Sequence, residues 1–300
     1  MSTSVTITGT GCPIPDADRA GPGALVRHDD LTLQFDTGRS TVQRLAGADV
    51  WVPDLTAVFL THYHSDHVVG LHDVVLTRWV MDRTDAAPPL PVIAPAGATS
   101  AFVESLLDGW NDDVEVRAGH AGRSSRPTVD LIAFDVPDTP TEVWRRDDVV
   151  VTAGQVRHEP VVGAVGYRID TPDGSVAISG DTLVCDEVAE LAEGVDVLVY
   201  EAMRFSFFGD LPAHRQFVTD YHADAPLIGA QAAALGVPKL VLTHLIPAPR
   251  SDRDRQQFVD EVRSGGYEGE LVVADDLYTC AVGDGGLPEV AALDATAEQG

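Results

Sequence analysis

Ala57-Val58-Phe59-Leu60-Thr61-His62-Tyr63-His64-Ser65-Asp66-His67 runs from an unbroken apolar segment straight into three imidazoles and a carboxylate. Residues 57–61 have the length and content of a buried strand, and residues 68–80 carry apolar side chains at helical spacing, so the histidines sit at a strand-to-helix turn. Neutral imidazole and carboxylate are ligands that zinc accepts, and a catalytic zinc keeps one position open for water. Residues two apart in extended chain face the same way, so His62 and His64 can share one ion. Where the chain turns, Asp66 and His67 face elsewhere and can serve a second. Ser65 has no serine triad around it and reads as a turn residue. A solvated histidine-rich loop is the bland alternative, and it does not explain why the cluster ends a strand.

Outward from this stretch, residues 4–8, 24–26 and 31–36 read as a hairpin-rich β start, with a turn at Gly9-Thr10-Gly11. A Pro- and Asp-rich loop is expected at 82–91, then a strand at 91–95 and a helix at 98–110. Segments 130–136, 149–156, 162–169 and 175–179 suggest a second sheet. Residues 195–200 and 239–243 are further strands, 225–235 and 252–263 are helices, and 271–274 and 277–282 close the ordered part. One domain over 1–283 and a mobile tail over 284–300 follow, since no linker or internal repeat divides the chain.

Composition bounds the function. With 44% hydrophobic residues in 300, the chain can bury a core, which excludes wholesale disorder. No apolar run reaches membrane length and the first residues lack a secretory pattern, so the expectation is a soluble cytoplasmic protein without membrane contact. Three dispersed cysteines form no CxxC pair. Twenty basic against 47 acidic residues give a net charge of -27, and Lys239 is the single lysine. Such a field repels phosphate backbones, which argues against nucleic acid as a partner.

The HxHxDH stretch at a strand end resembles the signature of the metallo-β-lactamase superfamily. That resemblance implies an α+β, four-layer αββα sandwich. It extends to His158 in Val156-Arg157-His158-Glu159, Asp181 in Ser179-Gly180-Asp181-Thr182 and His244 in Leu242-Thr243-His244. In the family those places hold the third histidine of the first zinc site, the aspartate bridging both metals, and the last histidine of the second site. Singly, His158 reads as a loop histidine, Asp181 as a turn carboxylate and His244 as a hydrogen-bonded core histidine. Together they stand at the ends of expected strands, where a site on the edge of a β-sandwich draws its ligands. The implied centre is two Zn2+, with Mn2+ or Fe also accepted by these ligands. Two such ions share a water whose pKa falls toward ~7.

Over roughly 280 residues the chain is similar to one branch, the ribonuclease Z and arylsulfatase-like group. Gly9-Thr10-Gly11-Cys12-Pro13, Gln34-Phe35-Asp36-Thr37-Gly38, Gly166-Tyr167-Arg168-Ile169 and Tyr200-Glu201-Ala202 carry this likeness. The last matches the branch's HEAT box, whose glutamate is thought to pair with a proton-donating histidine; here these are Glu201 and His222, and with Asp66 they make the expected catalytic set. A carboxylate that orients an imidazole raises its pKa toward the range of a general acid. The bland reading is a strand-end acid and a helix cap. Tyr200, Met203 and Ala223 depart from the branch's residues.

Bacterial ribonuclease Z carries a long exosite arm between the GYRI and GDT stretches, and only residues 170–177 lie there in this chain. The expectation is therefore a binuclear hydrolase of small phosphodiesters, aryl sulfates or related esters. A tRNA 3′-processing endoribonuclease is the first alternative and a non-catalytic, metal-containing binding subunit the second. Loops 82–91, 119–128 and 204–215, with Phe205, Phe207 and Phe208, are the expected pocket walls. Relatives in the branch imply a homodimer.

Overall fold

The computed structural model describes residues 2–209 and 213–283; the tail expected at 284–300 lies outside the described residues. Strands β1 (Thr3–Gly9), β2 (Gly23–His28), β3 (Leu31–Phe35), β4 (Ala57–Phe59), β5 (Leu90–Pro95) and β6 (Val129–Phe134) make one sheet. The second contains β7 (Thr141–Arg146), β8 (Val149–Gln155), β9 (Val165–Thr171), β10 (Gly174–Ile178), β11 (Val197–Met203), β12 (Lys239–Ile246) and β13 (Glu270–Val273). The last strand, β14 (Thr279–Ala281), returns to pair antiparallel with β1.

The apolar runs explain the layering. In β4, Ala57 and Phe59 point to the space between the sheets while Val58, with Leu60 beyond it, faces outward. In β11, Val197 and Val199 point inward while Leu198 and Tyr200 face the opposite side. A strand apolar on both faces must be covered on both faces, so each sheet carries helices on its outer side. The inner layer is centred on Phe35, Phe59 and Tyr167; the two phenylalanine rings stack at 4.7 Å.

Helices α1 (Thr41–Gly47), α2 (Ser65–Val68), α3 (Leu71–Met81) and α4 (Ala98–Glu104) cover the first sheet, and α5 (Asn111–Ala121) packs Val114 and Ala118 on Trp79 of α3. On the second sheet lie α6 (Asp186–Leu191), α8 (Ala225–Leu235) and α9 (Asp252–Ser264), while α7 (Phe205–Phe208) follows β11. Two layers of strand between two of helix give the αββα sandwich that the resemblance implied.

The structure corrects several boundaries. The helix expected at 98–110 stops at Glu104; a 3-10 turn at Asp108–Trp110 and then α5 replace its end. Ser105, Asp108 and Gly109 are poor helix formers, and Gly alone costs about 1 kcal/mol. The helix expected from 68 is split between α2 and α3. Strand β7 went unforeseen because it is a charged outer strand, Thr-Glu-Val-Trp-Arg-Arg, in which neither face is fully buried. The short hairpin foreseen after Ile169 is present: Thr171 pairs with Gly174, so two residues make the turn.

Candidate metal centre

Every residue singled out as a ligand arrives at one edge of the sandwich. His62 and His64 follow β4, Asp66 and His67 lie in α2, His158 follows β8, Asp181 follows β10, and His244 lies in β12. Two of the carrying turns use unusual backbone. Asp36, just after β3, has φ 54°, and His244 has φ 45°. At His244 the β11–β12 register slips, since Glu201 pairs with Thr243 but Ala202 with Leu245. His244 is thus the extra residue of a bulge, which turns its imidazole out of the ladder.

Asp181 Oδ2 is the hub. It lies 3.9 Å from His62 Nε2, 3.3 Å from His67 Nε2, 3.9 Å from His158 Nε2 and 3.4 Å from His244 Nε2. His64 Nδ1 is 3.2 Å from His158 Nε2, and Asp66 Oδ2 is 3.4 Å from His244 Nε2. Ligand atoms therefore fall into two sets, His62/His64/His158/Asp181 and Asp66/His67/His244, each within 4.8 Å. Asp181 also groups with His222 and His244 in a third set, whereas the resemblance implied Asp181 shared between the first two.

The donor chemistry fits divalent ions. His62 Nε2, Asp66 Oδ2, His67 Nε2 and His244 Nε2 are buried and make no hydrogen bond. Four such atoms left bare would cost about 1–3 kcal/mol each, and a metal satisfies them together. Burial holds the His62 and His64 imidazoles below their ordinary value and takes His158 down to about 4, so these rings are neutral with lone pairs available. Burial also pushes His67 down, but Asp181 and Asp36, which face it, outweigh burial and raise it above its ordinary value. Asp181 stays ionised against its burial because His244 and His67 face it.

A surrounding set of hydrogen bonds fixes the rings. His67 Nδ1–H donates to Asp36 Oδ2 at 2.7 Å, and the Thr61 hydroxyl donates to the same oxygen at 2.8 Å. His62 Nδ1 meets that hydroxyl at 3.0 Å. His158 Nδ1 donates to the Tyr221 carbonyl at 2.9 Å. Each bond leaves the opposite nitrogen aimed at the hub. Asp36, Thr61 and Tyr221 were not foreseen as site residues; Asp36 was noted only as part of a hairpin motif, and its place after a strand and before Thr37-Gly38 was the available signal.

Glu201 and His222 are also brought together. His222 Nδ1–H donates to Glu201 Oε1 at 2.9 Å, and that oxygen also accepts the Thr182 N–H at 2.9 Å. Burial opposes charge on His222, yet Glu201 holds the ring up to about 9. Burial in turn raises Glu201. One ring nitrogen of His222 lies within 4.8 Å of Asp181 and His244.

The expected walls fare differently. Loops 82–91 and 119–128 close on each other, with Asp85 accepting bonds from Ser124 and Ser125, and line a small cleft with Trp79 away from the centre. They do not wall the site, because their carboxylates and hydroxyls are spent on one another. Of 204–215, residues 210–212 lie outside the described residues; Phe207 and Phe208 line a cavity beyond the ends of β11 and β12.

Known proteins were compared with this arrangement. The family model described as beta-lactamase superfamily domain matches residues 33–245. Ribonuclease Z of Mycobacterium avium is 38% identical over 280 residues, covering 93% of this chain and 98% of that protein. Ribonuclease Z of Mycobacterium tuberculosis H37Rv is 35% identical over 280 residues, 93% of this chain and 97% of its own. Among solved structures, the metallo-beta-lactamase fold protein YhfI from Bacillus subtilis superposes with TM-score 0.71 at 22% identity, over 94% of this chain and all of that one. Human tRNase Z, short form, gives TM-score 0.64 at 19% identity, over 93% and 99%. With two layers of sheet inside two of helix, and histidines and aspartates converging at one edge, the chain belongs to the metallo-β-lactamase superfamily as a ribonuclease Z-like hydrolase.

Proposed function

We propose that this hydrolase is an RNA phosphodiesterase of the ribonuclease Z kind that cuts precursor tRNA near its 3′ end. The observation that carries the reading is the end-to-end likeness to proteins named ribonuclease Z, at 38% identity across 93% of the chain. It replaces the expectation of small esters as the main substrates and of nucleic acid as a disfavoured partner, and takes up what the sequence reading held as its first alternative. That expectation leaned on the missing arm. Yet 280 aligned residues make up 98% of the Mycobacterium avium protein, which leaves no room for a long arm there either.

In this reading His62, His64, His158 and Asp181 would hold one divalent ion and Asp66, His67 and His244 a second, with zinc the metal that the ligand set suits. Bound there, such ions would supply Lewis acidity toward water and toward the phosphate oxygens. The chain's own residues do the rest. Asp36, Thr61 and the Tyr221 carbonyl keep three imidazoles in one tautomer. Glu201, anchored by the Thr182 N–H, orients His222 and keeps a proton on it. His222 then donates that proton to the departing ribose oxygen.

The test is incubation of the metal-loaded protein with a 3′-extended precursor tRNA, beside bis(p-nitrophenyl) phosphate and p-nitrophenyl sulfate. Cleavage at one position that vanishes with chelator and in Asp181→Ala supports the reading. Turnover of the small esters with intact RNA would leave the second reading, a small-ester hydrolase, which the charge of -27 favours.

A further inference from the structure

Beyond the ends of β11 and β12, on the side of Glu201 and His244, opens a cavity of about 400 Å3. That volume lies in the range of small-molecule sites. The cavity lies against the strands that carry the centre: Ile246, on its wall, is two residues beyond His244 in β12, and Arg204 directly follows β11, three residues beyond Glu201. Ile14, Phe207, Phe208 and Pro247 supply apolar walls. Two of these are unusually open to solvent, Ile14 at 71% and Phe207 at 60%. Exposed apolar side chains gathered at one cavity mark a place where a ligand can be covered.

The charged groups around the cavity are not equivalent. Arg204 is committed to α9, its Nε on Glu261 at 2.8 Å and its Nη1 on Gln257 at 3.0 Å. The rim carboxylates are turned to backbone, Asp16 accepting from Asp18 N at 3.0 Å and Asp254 from Arg250 N at 3.0 Å. Among the described residues the Arg250 guanidinium makes no ion pair and no hydrogen bond. In a chain of net charge -27 it is an uncommitted cation beside an aromatic wall.

We infer that this cavity receives the nucleobase neighbouring the scissile phosphate, stacked on Phe207, with an adjoining phosphate on Arg250. The inference rests on the RNA reading above and names its base subsite. Every base presents a π face, so an aromatic wall accepts it without sequence-specific bonds, and arginine adds the charge that a phosphate needs. A sulfate or alkyl ester has neither ring nor second phosphate to fill the space.

Binding of adenosine and of AMP to the metal-loaded protein, followed by ligand-observed NMR, tests this directly. Adenosine, which lacks a phosphate, reads the base wall alone, and the single phosphate of AMP reads Arg250. Expected are binding of both by the parent protein, about a tenfold or larger loss for both in Phe207→Ala, and loss for AMP alone in Arg250→Ala. Ile14→Ser, an exposed substitution on the same wall, weakens both as well and keeps the test open should Phe207→Ala not fold. No adenosine binding at millimolar concentration, or AMP binding indifferent to all three substitutions, overturns the subsite. Precursor tRNA cleavage is measured on the same proteins. Cleavage without nucleoside binding removes the subsite and keeps the RNA reading, and nucleoside binding without cleavage does the reverse.

Discussion

His222 and Asp36 show how much single side chains decide. In the proposed function His222 protonates a leaving oxygen, and a positioned general acid contributes roughly 10²–10⁴-fold. His222→Ala should therefore slow RNA cleavage by about that factor, yet slow bis(p-nitrophenyl) phosphate less than about tenfold, because p-nitrophenolate leaves without a proton. Equal losses on both substrates would refute the assignment. Asp36 acts through His67, whose Nδ1–H it accepts at 2.7 Å. Loss of such an outer carboxylate weakens metal binding by about 10–100-fold. Asp36→Asn should show that loss in a chelator competition. HxHxDH made four residues of the centre legible, since ligands in one short run declare themselves by type and spacing. Asp36 did not stand out, because an aspartate after a strand is ordinary until its partner across 31 residues is known.

At the scale of elements, the ligand-bearing turn is clamped by backbone. Thr37 N–H bonds the His67 carbonyl at 2.7 Å, and Gly70 N–H bonds the Thr37 carbonyl at 2.8 Å. Gly70 has to lack a side chain, because a Cβ there would stand 2.2 Å from the Gly38 carbonyl oxygen. Gly70→Ala should then cost about 1–3 kcal/mol through forced movement of the 36–38 segment, seen as a lowered Tm. The loop after α3 has its own clamp. Asp82 accepts the Thr84 hydroxyl and the N–H groups of Ala87, Thr84 and Ala86, bonds that hold its carboxyl down to about 2. A carboxyl depressed by folding stabilises above its unfolded value of about 3.9 and loses that contribution as pH falls toward 2. Asp82→Asn should flatten the fall of Tm across that window, and an unchanged acid limb would show that the bonds carry nothing. Neither α5 nor β7 was read correctly, since both are polar elements whose few apolar residues reveal a period only once α3 or β8 is beside them.

For the whole molecule the excess of acid is an unfavourable term that salt can relieve. A net charge of -27 on one folded chain repels itself, and the Debye length falls from roughly 10 Å at 0.1 M salt to 3 Å at 1 M. Raising sodium chloride from 0.1 to 1 M should thus raise Tm in the metal-loaded protein; a flat or falling Tm would mean that the acidic groups are already paired. Among the described residues no helix is long and apolar enough to cross a membrane.

The sequence alone pointed to the layered fold through its resemblance to the superfamily, and to the candidate ligand types through HxHxDH, which places them by local chain geometry. Tertiary structure decided what is assembled across distance: Asp181 amid four imidazoles, Glu201 on His222, Asp36 behind His67, and a cavity beside the centre. Those pairings span 21 to more than 100 residues. Their energies depend on packing between sheets, of which no local window of residues holds a record.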